Sequence, residues 1–170
     1  MFNGVLRYMI KIRPFEEADW EATWQILAPV FRAGETYAFS PDITEEEARD
    51  VWVKTPSATF VAVDENSVII GTYFIKPNQP DLGAHICNCG YVVAEDSRGK
   101  GVASKMCEHS QREAISQGFR AMQYNLVVST NDVAVRLWKK HGFHVVGTLP
   151  EAFRHHELGF VDAFVMYKKL

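Results

Sequence analysis

A glycine-bearing turn between an apolar stretch and a helical pattern is the most informative chemical feature of the sequence. Val92 and Val93 close the apolar stretch, and the turn after them carries Arg98, Gly99 and Gly101. The first backbone N–H groups of a helix have no partner within it, and the helix dipole adds positive charge there. Glycine lacks a Cβ, so a ligand can approach its backbone closely. The turn is therefore predicted to bind a phosphate or pyrophosphate.

The spacing of this turn excludes two common phosphate-binding loops. A P-loop requires G-x-x-x-x-G-K-[ST], and a dinucleotide-binding turn requires G-x-G-x-x-G. Here Gly99 and Gly101 are followed by Ser104, where the third glycine of the second pattern would stand. What remains is Arg98-x-x-Gly101-x-Ala103, a short pattern that also occurs at ordinary strand-to-helix turns.

Two amides, a histidine and a tyrosine are the other candidates for chemistry on a small substrate. Asn88 and Asn125 lie on consecutive predicted strands, where they either line a site or pair with each other or with the backbone. A carboxamide does not titrate near neutral pH, but it can accept a hydrogen bond from an amine and orient it. His85 is either a base or a loop histidine at a strand start. Tyr37 either covers a substrate or is a partly exposed aromatic.

Composition and charge exclude several functional classes. The 170 residues fit a single domain, and the net charge of −3 gives no reason to expect nucleic acid or an anionic membrane as a partner. No apolar run approaches a membrane span and residues 1–12 do not resemble a signal peptide, so a cytoplasmic location is expected. The spacing Cys87-x-Cys89 suits neither a zinc knuckle nor a thioredoxin-type site, so no metal is expected and the cysteines are predicted to be reduced apolar fillers.

The elements that must position these residues follow from hydrophobic periodicity. The predicted order is β-α-α-β-β-β-α-β-α-β-β in one domain over residues 1–170, with residues 1–8 disordered or an extended start. The run of strands in the middle implies antiparallel pairing, whereas the strand-helix-strand unit at 85–129 implies a parallel crossover. The fold class is therefore α/β, a mixed sheet with helices on both faces. The predicted strands are 8–13, 59–63, 67–75, 85–93, 121–129, 143–149 and 161–167, and the predicted helices are 20–31, 44–55, 101–117 and 131–141.

Two motifs together resemble those of the GCN5-related N-acetyltransferases, the GNAT superfamily. The family's pyrophosphate-binding motif is Arg or Gln, two residues, Gly, one residue, then Gly or Ala, and residues 98–103 match it. The next predicted helix carries Asn131 and Ala134 and ends in Gly142-Phe143, as the family's does. The predicted element order is also that of the family, so the chain is identified as a member.

The resemblance implies acetyl-coenzyme A (acetyl-CoA) as co-substrate. The backbone N–H groups of residues 99–103 would hold its pyrophosphate. The fourth and fifth strands would splay near Val92 and Val93, so that the amide-rich pantetheine arm adds to the strand edge. The side chain of Asn131 would reach that arm. The implied coenzyme-binding residues are Tyr91, Val92, Val93, Arg98, Gly99, Lys100, Gly101, Val102, Ala103, Asn131 and Trp138.

The implied reaction is direct attack of an amine on the thioester in a ternary complex. A backbone N–H near Tyr91 to Val93 is the expected oxyanion donor. Many family members use a tyrosine of the last helix as general acid, but Trp138 stands at that position, and its indole does not titrate usefully. The thiolate then leaves without that acid or is protonated by water. The implied catalytic residues are Asn88, Val93, Asn125 and His85, and the implied substrate-binding residues are Tyr37, Asn88 and Asn125.

A narrower resemblance concerns the substrate. From about residue 71 to 170 the chain looks like the fungal azetidine-2-carboxylate acetyltransferases, with Trp138 and the stretch His85-Ile86-Cys87-Asn88 included. This implies a small amino or imino acid as the acceptor. Two alternatives stay open: an antibiotic or protein N-acetyltransferase, and a CoA-binding regulatory module without catalysis. A homodimer is compatible with the resemblance.

Overall fold

The computed structural model describes residues 9–170, which form one seven-stranded sheet in the order β1-β2-β3-β4-β5-β7-β6. The proposed start at residues 1–8, with the first residue of the first predicted strand, lies outside the described residues. The strands are β1 Lys11–Pro14, β2 Ala58–Val63, β3 Ile69–Pro77, β4 Ile86–Val93, β5 Ala121–Val128, β6 His144–His155 and β7 Gly159–Lys169. The main helices are α1 Trp20–Ala33, α2 Glu45–Arg49, α3 Val102–Ser116 and α4 Asp132–Lys140.

The predicted order of elements and the mixed α/β sheet are confirmed. β4 and β5 pair in parallel across the α3 crossover, and the other neighbouring strands pair antiparallel. The predicted cap of the second helix is present, because the Glu47 N–H donates to Thr44 Oγ1 at 3.2 Å. No helix within residues 9–170 is long and apolar enough to cross a membrane.

Some predicted boundaries were wrong at sites of irregular backbone. β3 begins two residues late because Ser67 lies in a turn with a φ of 63°. β6 and β7 form a longer hairpin than predicted, because a register shift between Leu149 and Phe153 interrupts the alternation that marks a strand. The last turn of the second helical segment, 50–54, is π-helical, and Thr55 N–H donates to Asp50 O at 2.8 Å.

The sheet separates two apolar layers, and alternate residues of β4 belong to different layers. Cys87 and Cys89 pack in the layer under α3 and α4, whereas Val92 packs in the layer under α1 and α2. All three cysteines are buried and free, which confirms the prediction that they are apolar fillers. Side chains from β4 therefore reach both faces of the sheet, and the odd and even positions have different neighbours.

β4 and β5 separate soon after they begin, and this opening determines the position of the site. Their pairing is confined to Ile86 with Ala121 and Cys87 with Met122. Beyond these pairs the strands are joined through side chains: Asn88 Nδ2 donates to Gln123 O at 2.9 Å, and the Tyr91 hydroxyl lies 3.0 Å from the Tyr124 hydroxyl. The backbone edge of β4 that faces β5 is therefore not paired with another strand from this point to the end of β4, and the Tyr37 hydroxyl bonds to Tyr91 on this edge.

Candidate active site

A cavity of about 930 Å³ occupies the opening between β4 and β5 and extends under α1 and over the start of α4. Backbone and side chains from both faces of the sheet meet there, because the opening passes through the sheet. Ten of the residues singled out from the sequence line it: Tyr37, Asn88, Tyr91, Val92, Val93, Arg98, Ala103, Asn125, Asn131 and Trp138.

The glycine-bearing turn has the backbone conformation that its glycines were predicted to supply. Gly99 and Gly101 have φ values of 73° and 84°, and no heavy atom lies within 4 Å of the place that a Cβ would take at either position. The turn is thus open toward its outer side, and Gly101 immediately precedes α3. Ser104 Oγ lies 2.7 Å from His141 Nε2, which ties the first turn of α3 to the end of α4.

The open edge of β4 presents backbone groups of alternate residues. Ala94 N–H donates to Ile70 O on β3, whereas Tyr91 N–H faces the opposite side and donates to the Tyr37 hydroxyl at 2.8 Å. Because N–H groups alternate along an antiparallel strand, Val93 N–H points into the opening, as Tyr91 N–H does, and Val92 N–H points to β3. Of the three residues proposed for the oxyanion donor, Val93 therefore has the N–H that faces the cavity and is not bonded to Tyr37.

Tyr37 forms a fixed wall of the cavity. Its hydroxyl accepts from Tyr91 N–H and donates to Tyr91 O, both at 2.8 Å. Its ring packs edge-on against Trp52, and burial raises the pKa of its hydroxyl well above the usual value. Gly90 makes room for this arrangement, because a Cβ there would lie 2.5 Å from the Phe74 ring and 3.2 Å from the Tyr37 hydroxyl.

Asn88 and Asn125 lie on the same face of the splayed strands but do not bond to each other. Asn88 donates to the Gln123 carbonyl, and Asn125 Nδ2 donates to Asn78 Oδ1 at 2.6 Å. Asn125 Oδ1 accepts from Gln123 Nε2 at 2.9 Å. Within residues 9–170 no protein donor lies at hydrogen-bond distance from Asn88 Oδ1. Asn88 thus combines a structural bond with an acceptor that has no protein donor within residues 9–170.

Asn131 sits at the other side of the opening, where α4 begins. Its Oδ1 accepts from Ala134 N–H at 3.1 Å, so the side chain caps the helix. Its amide Nδ2 has no acceptor among the described residues and can donate to a ligand in the cavity. The fit to an amide-rich arm is therefore good: β4 offers strand-edge groups on one side, and Asn131 offers a donor on the other.

The acetyltransferase (GNAT) family profile matches residues 20–143. The chain belongs to the GNAT acetyltransferase family. It is an acetyl-CoA-dependent N-acetyltransferase, and its curated relatives include N-acetyltransferase aca1 of Schizosaccharomyces pombe, 31% identical over 149 residues, or 78% of this chain and 71% of that protein.

Solved GNAT structures share the fold over nearly the whole chain. A GCN5-related N-acetyltransferase from Kribbella flavida is 43% identical, with a TM-score of 0.90 over 95% of this chain and 98% of that one. YncA of Salmonella typhimurium, solved with acetyl-CoA, is 21% identical with a TM-score of 0.80 over 95% of this chain and 94% of that one. At that identity the second likeness concerns the fold alone.

Trp138, which the resemblance places where many GNAT enzymes have a tyrosine, is 9% exposed. Its ring centroid lies 5.0 Å from that of Tyr91 and 4.9 Å from that of Tyr124. The Tyr91 hydroxyl lies 3.0 Å from the Tyr124 hydroxyl and 2.7 Å from Ser110 Oγ. Burial raises the pKa of both tyrosines well above the usual value, so neither supplies a proton readily near neutral pH.

His85 is not in the site. It is exposed at the start of β4, and it is absent from the residues that line the cavity. Its backbone carbonyl accepts from Arg120 N–H at 2.8 Å, which fixes it at the end of the parallel pair and away from the opening. Of the two alternatives for His85, this position favours the loop histidine at a strand start, because the residue precedes β4 outside the cavity. Gly99, Lys100 and Gly101 form the turn beside the cavity and Val102 begins α3, and none of these four residues lines the cavity.

Sequence reasoning missed several lining residues of β3 and the loop after α1. Phe74 and Lys76 lie opposite Gly90 and Asn88 in the β3–β4 register, and so share their face of the sheet. Glu35 also lines the cavity, and its exposed carboxylate is a candidate to receive a proton. In the sequence, the alternation of β3 places Phe74 and Lys76 on one face of the strand. Which residues of β4 lie beside them depends on the register, which the alternation does not give.

Proposed function

We propose that this enzyme transfers the acetyl group of acetyl-CoA to the amine of a small amino or imino acid, by direct attack within a ternary complex. The open edge of β4, which ends in the turn that precedes α3, is the observation that carries this proposal. A strand edge that is followed along the chain by the start of a helix suits a ligand with an amide-rich arm and a pyrophosphate. When bound, acetyl-CoA supplies the thioester that the amine attacks.

Coenzyme binding, stabilisation of the oxyanion and orientation of the amine are assigned to different residues around the opening. The backbone N–H groups of the turn bind the pyrophosphate, and Arg98 offsets part of its charge. Val93 N–H donates to the carbonyl oxygen on which negative charge develops, which lowers the barrier to attack. Asn88 Oδ1 accepts a hydrogen bond from the amine and directs its lone pair to the acetyl carbon.

Proton transfer is left to exposed groups and to water. The amine must lose a proton before attack, and the Glu35 carboxylate and water in the cavity are the candidate acceptors. Trp138 does not titrate, so the thiolate leaves without a buried acid. A thiol is a fair leaving group near neutral pH, because its pKa is roughly 8.5 for the cysteine-like case.

A panel of amines tests this proposal by measuring thiol release from acetyl-CoA. We expect turnover with small amino or imino acids such as azetidine-2-carboxylate and proline. Turnover confined to aminoglycosides or to peptide N-termini would instead assign antibiotic or protein acetylation. Coenzyme binding without turnover on any amine would assign a CoA-binding regulatory module. Localisation of the protein in cells tests the expected cytoplasmic location. Sedimentation tests the expected homodimer.

A further inference from the structure

We propose that Lys76 selects acceptors that carry a carboxylate, by binding that carboxylate beside the amine held by Asn88. The inference rests on the proposed function, because it assigns the acceptor end of the same cavity. The observation behind it is the pairing of a lysine and an asparagine at one cross-strand position of the cavity.

Register places the two side chains together. Lys76 on β3 pairs directly with Asn88 on β4. Directly opposite residues of an antiparallel pair point to the same face of the sheet, with Cβ atoms roughly 4.5–5.5 Å apart. Both residues line the cavity, and both are partly buried. Lys76 and Asn88 therefore share one face of the sheet within the cavity, and the proposal places the acceptor against that face.

The Lys76 ammonium lies over the Phe74 ring, and no carboxylate of residues 9–170 neutralises it. Lys76 Nζ lies 5.5 Å from the centroid of the Phe74 ring, and Phe74 is buried at 5% exposure. Within residues 9–170 no carboxylate lies within salt-bridge distance of Lys76. A half-buried cation on an aromatic face, without a counter-ion, favours an anionic ligand.

Together, Lys76 and Asn88 select a ligand that has a hydrogen-bond donor as well as a negative charge. Asn88 Oδ1 needs a hydrogen-bond donor, and Lys76 Nζ needs an acceptor with negative charge. An α-amino or α-imino acid has both groups on one carbon atom, so it can satisfy both side chains from one small ligand. An amine without a carboxylate satisfies Asn88 but leaves Lys76 unpaired, and it should be a poorer acceptor.

The experiment compares an imino acid with its carboxamide, which keeps the ring and the amine but lacks the charge. For the wild-type enzyme, kcat/KM for azetidine-2-carboxylate should exceed that for azetidine-2-carboxamide by about tenfold to a hundredfold, as expected for a charge-assisted hydrogen bond. Lys76→Met should remove most of this preference, whereas Lys76→Arg should retain most of it. Lys11→Met, which changes an exposed lysine of β1, is the matched control and should keep the full preference.

The outcomes separate this inference from the proposed function. If the wild-type enzyme acetylates acid and carboxamide equally well, or if Lys76→Met keeps the preference for the acid, Lys76 does not recognise the carboxylate, although the acetyltransfer proposal stands. If no small amine is acetylated, the proposed function itself fails. If Lys76→Met does not fold, Lys76→Gln makes the same comparison with a side chain that is polar and uncharged.

Discussion

At the turn before α3, Gly101 combines a left-handed backbone with open space on its outer side. We predict that Gly101→Val weakens acetyl-CoA binding strongly, because a β-branched side chain would occupy the space that the pyrophosphate needs and would strain a φ of 84°. Isothermal titration calorimetry measures the affinity. The free energy of unfolding should fall as well, so the binding effect must be separated from the strain.

Gly118→Val is the control for that strain. Gly118 follows α3 with a φ of 85°, a Cβ at this position would likewise have no heavy atom within 4 Å, and the residue lies at the opposite end of α3 from the turn that is proposed to bind the pyrophosphate. The two variants should lose similar stability, and only Gly101→Val should lose coenzyme affinity. Unchanged affinity in a folded Gly101→Val protein would place the pyrophosphate site elsewhere.

Asn88 has one structural bond and one free acceptor, and these two roles can be separated by measurement. We predict that Asn88→Ala lowers turnover about tenfold to a hundredfold, because loss of one partner in a desolvated site costs on the order of 1–3 kcal/mol. Coenzyme affinity should change little, because the residues proposed to bind the coenzyme include Val93 and Asn131 but not Asn88. Stability, affinity and turnover are measured on the same preparation.

The opposite result would assign Asn88 to the fold alone. Its bond to the Gln123 carbonyl closes the end of the β4–β5 pairing, and loss of that bond also lowers the free energy of unfolding. If stability drops by several kcal/mol while the folded fraction keeps its full rate, Asn88 Oδ1 does not contact the amine.

Among the secondary-structure elements, β1 and the segment that leads into α1 are joined by a partly buried ion pair that makes stability depend on pH. Arg13 donates to both carboxylate oxygens of Asp19, at 2.7 and 2.8 Å, and Glu16 N–H also donates to that carboxylate. The bonds from Arg13 hold the pKa of Asp19 below its usual value, although burial acts in the opposite direction. The ionised form of Asp19 therefore stabilises the folded state.

We predict that Asp19→Asn lowers the free energy of unfolding by about 1–3 kcal/mol near pH 7. A depressed pKa gives stabilisation that is complete above the unfolded value of roughly 3.9 and is lost as pH falls through the lower folded value. The difference between wild type and variant should therefore shrink below about pH 4. Urea unfolding from pH 7 down to pH 3 measures it, and a constant difference would show that the charge of Asp19 does not contribute.

The elements of this fold could be predicted from the sequence because their periodicities are local. The α3 helix and its glycine turn, for example, follow from residues adjacent in the chain. The side of the cavity that is proposed to bind the acceptor could not be predicted in the same way. Lys76 meets Asn88, and Phe74 lies over Gly90, only because β3 and β4 pair in one register, which the sequence does not state. The choice between the two alternatives for His85 could not be made for a related reason, because the position where β4 enters the cavity depends on where β5 ends its pairing.

Over the whole molecule, the sheet consists of two blocks that share few backbone bonds. β1 to β4 form one block, β5 to β7 form the other, and their strand pairing is limited to two residue pairs. The α3 helix packs across the first block, and α4 adjoins the opening from the second. A ligand in the opening contacts both blocks, and so it should stabilise the fold as a whole as well as occupy a site.

We predict that acetyl-CoA raises the stability of the entire chain. A ligand that binds only the folded state at a concentration of 100 times its Kd adds about 2.7 kcal/mol to the free energy of unfolding. For a chain of this size, 1 kcal/mol corresponds to a shift of about 2–4 °C in Tm, so Tm should rise by roughly 5–11 °C. Scanning fluorimetry over a series of coenzyme concentrations measures the shift.

Gly101→Val should show little shift at the same concentrations and Gly118→Val should show the full shift, because strain lowers Tm in both variants but only the first blocks the pyrophosphate. Equal shifts in both variants would mean that the coenzyme bridges the two blocks without using this turn.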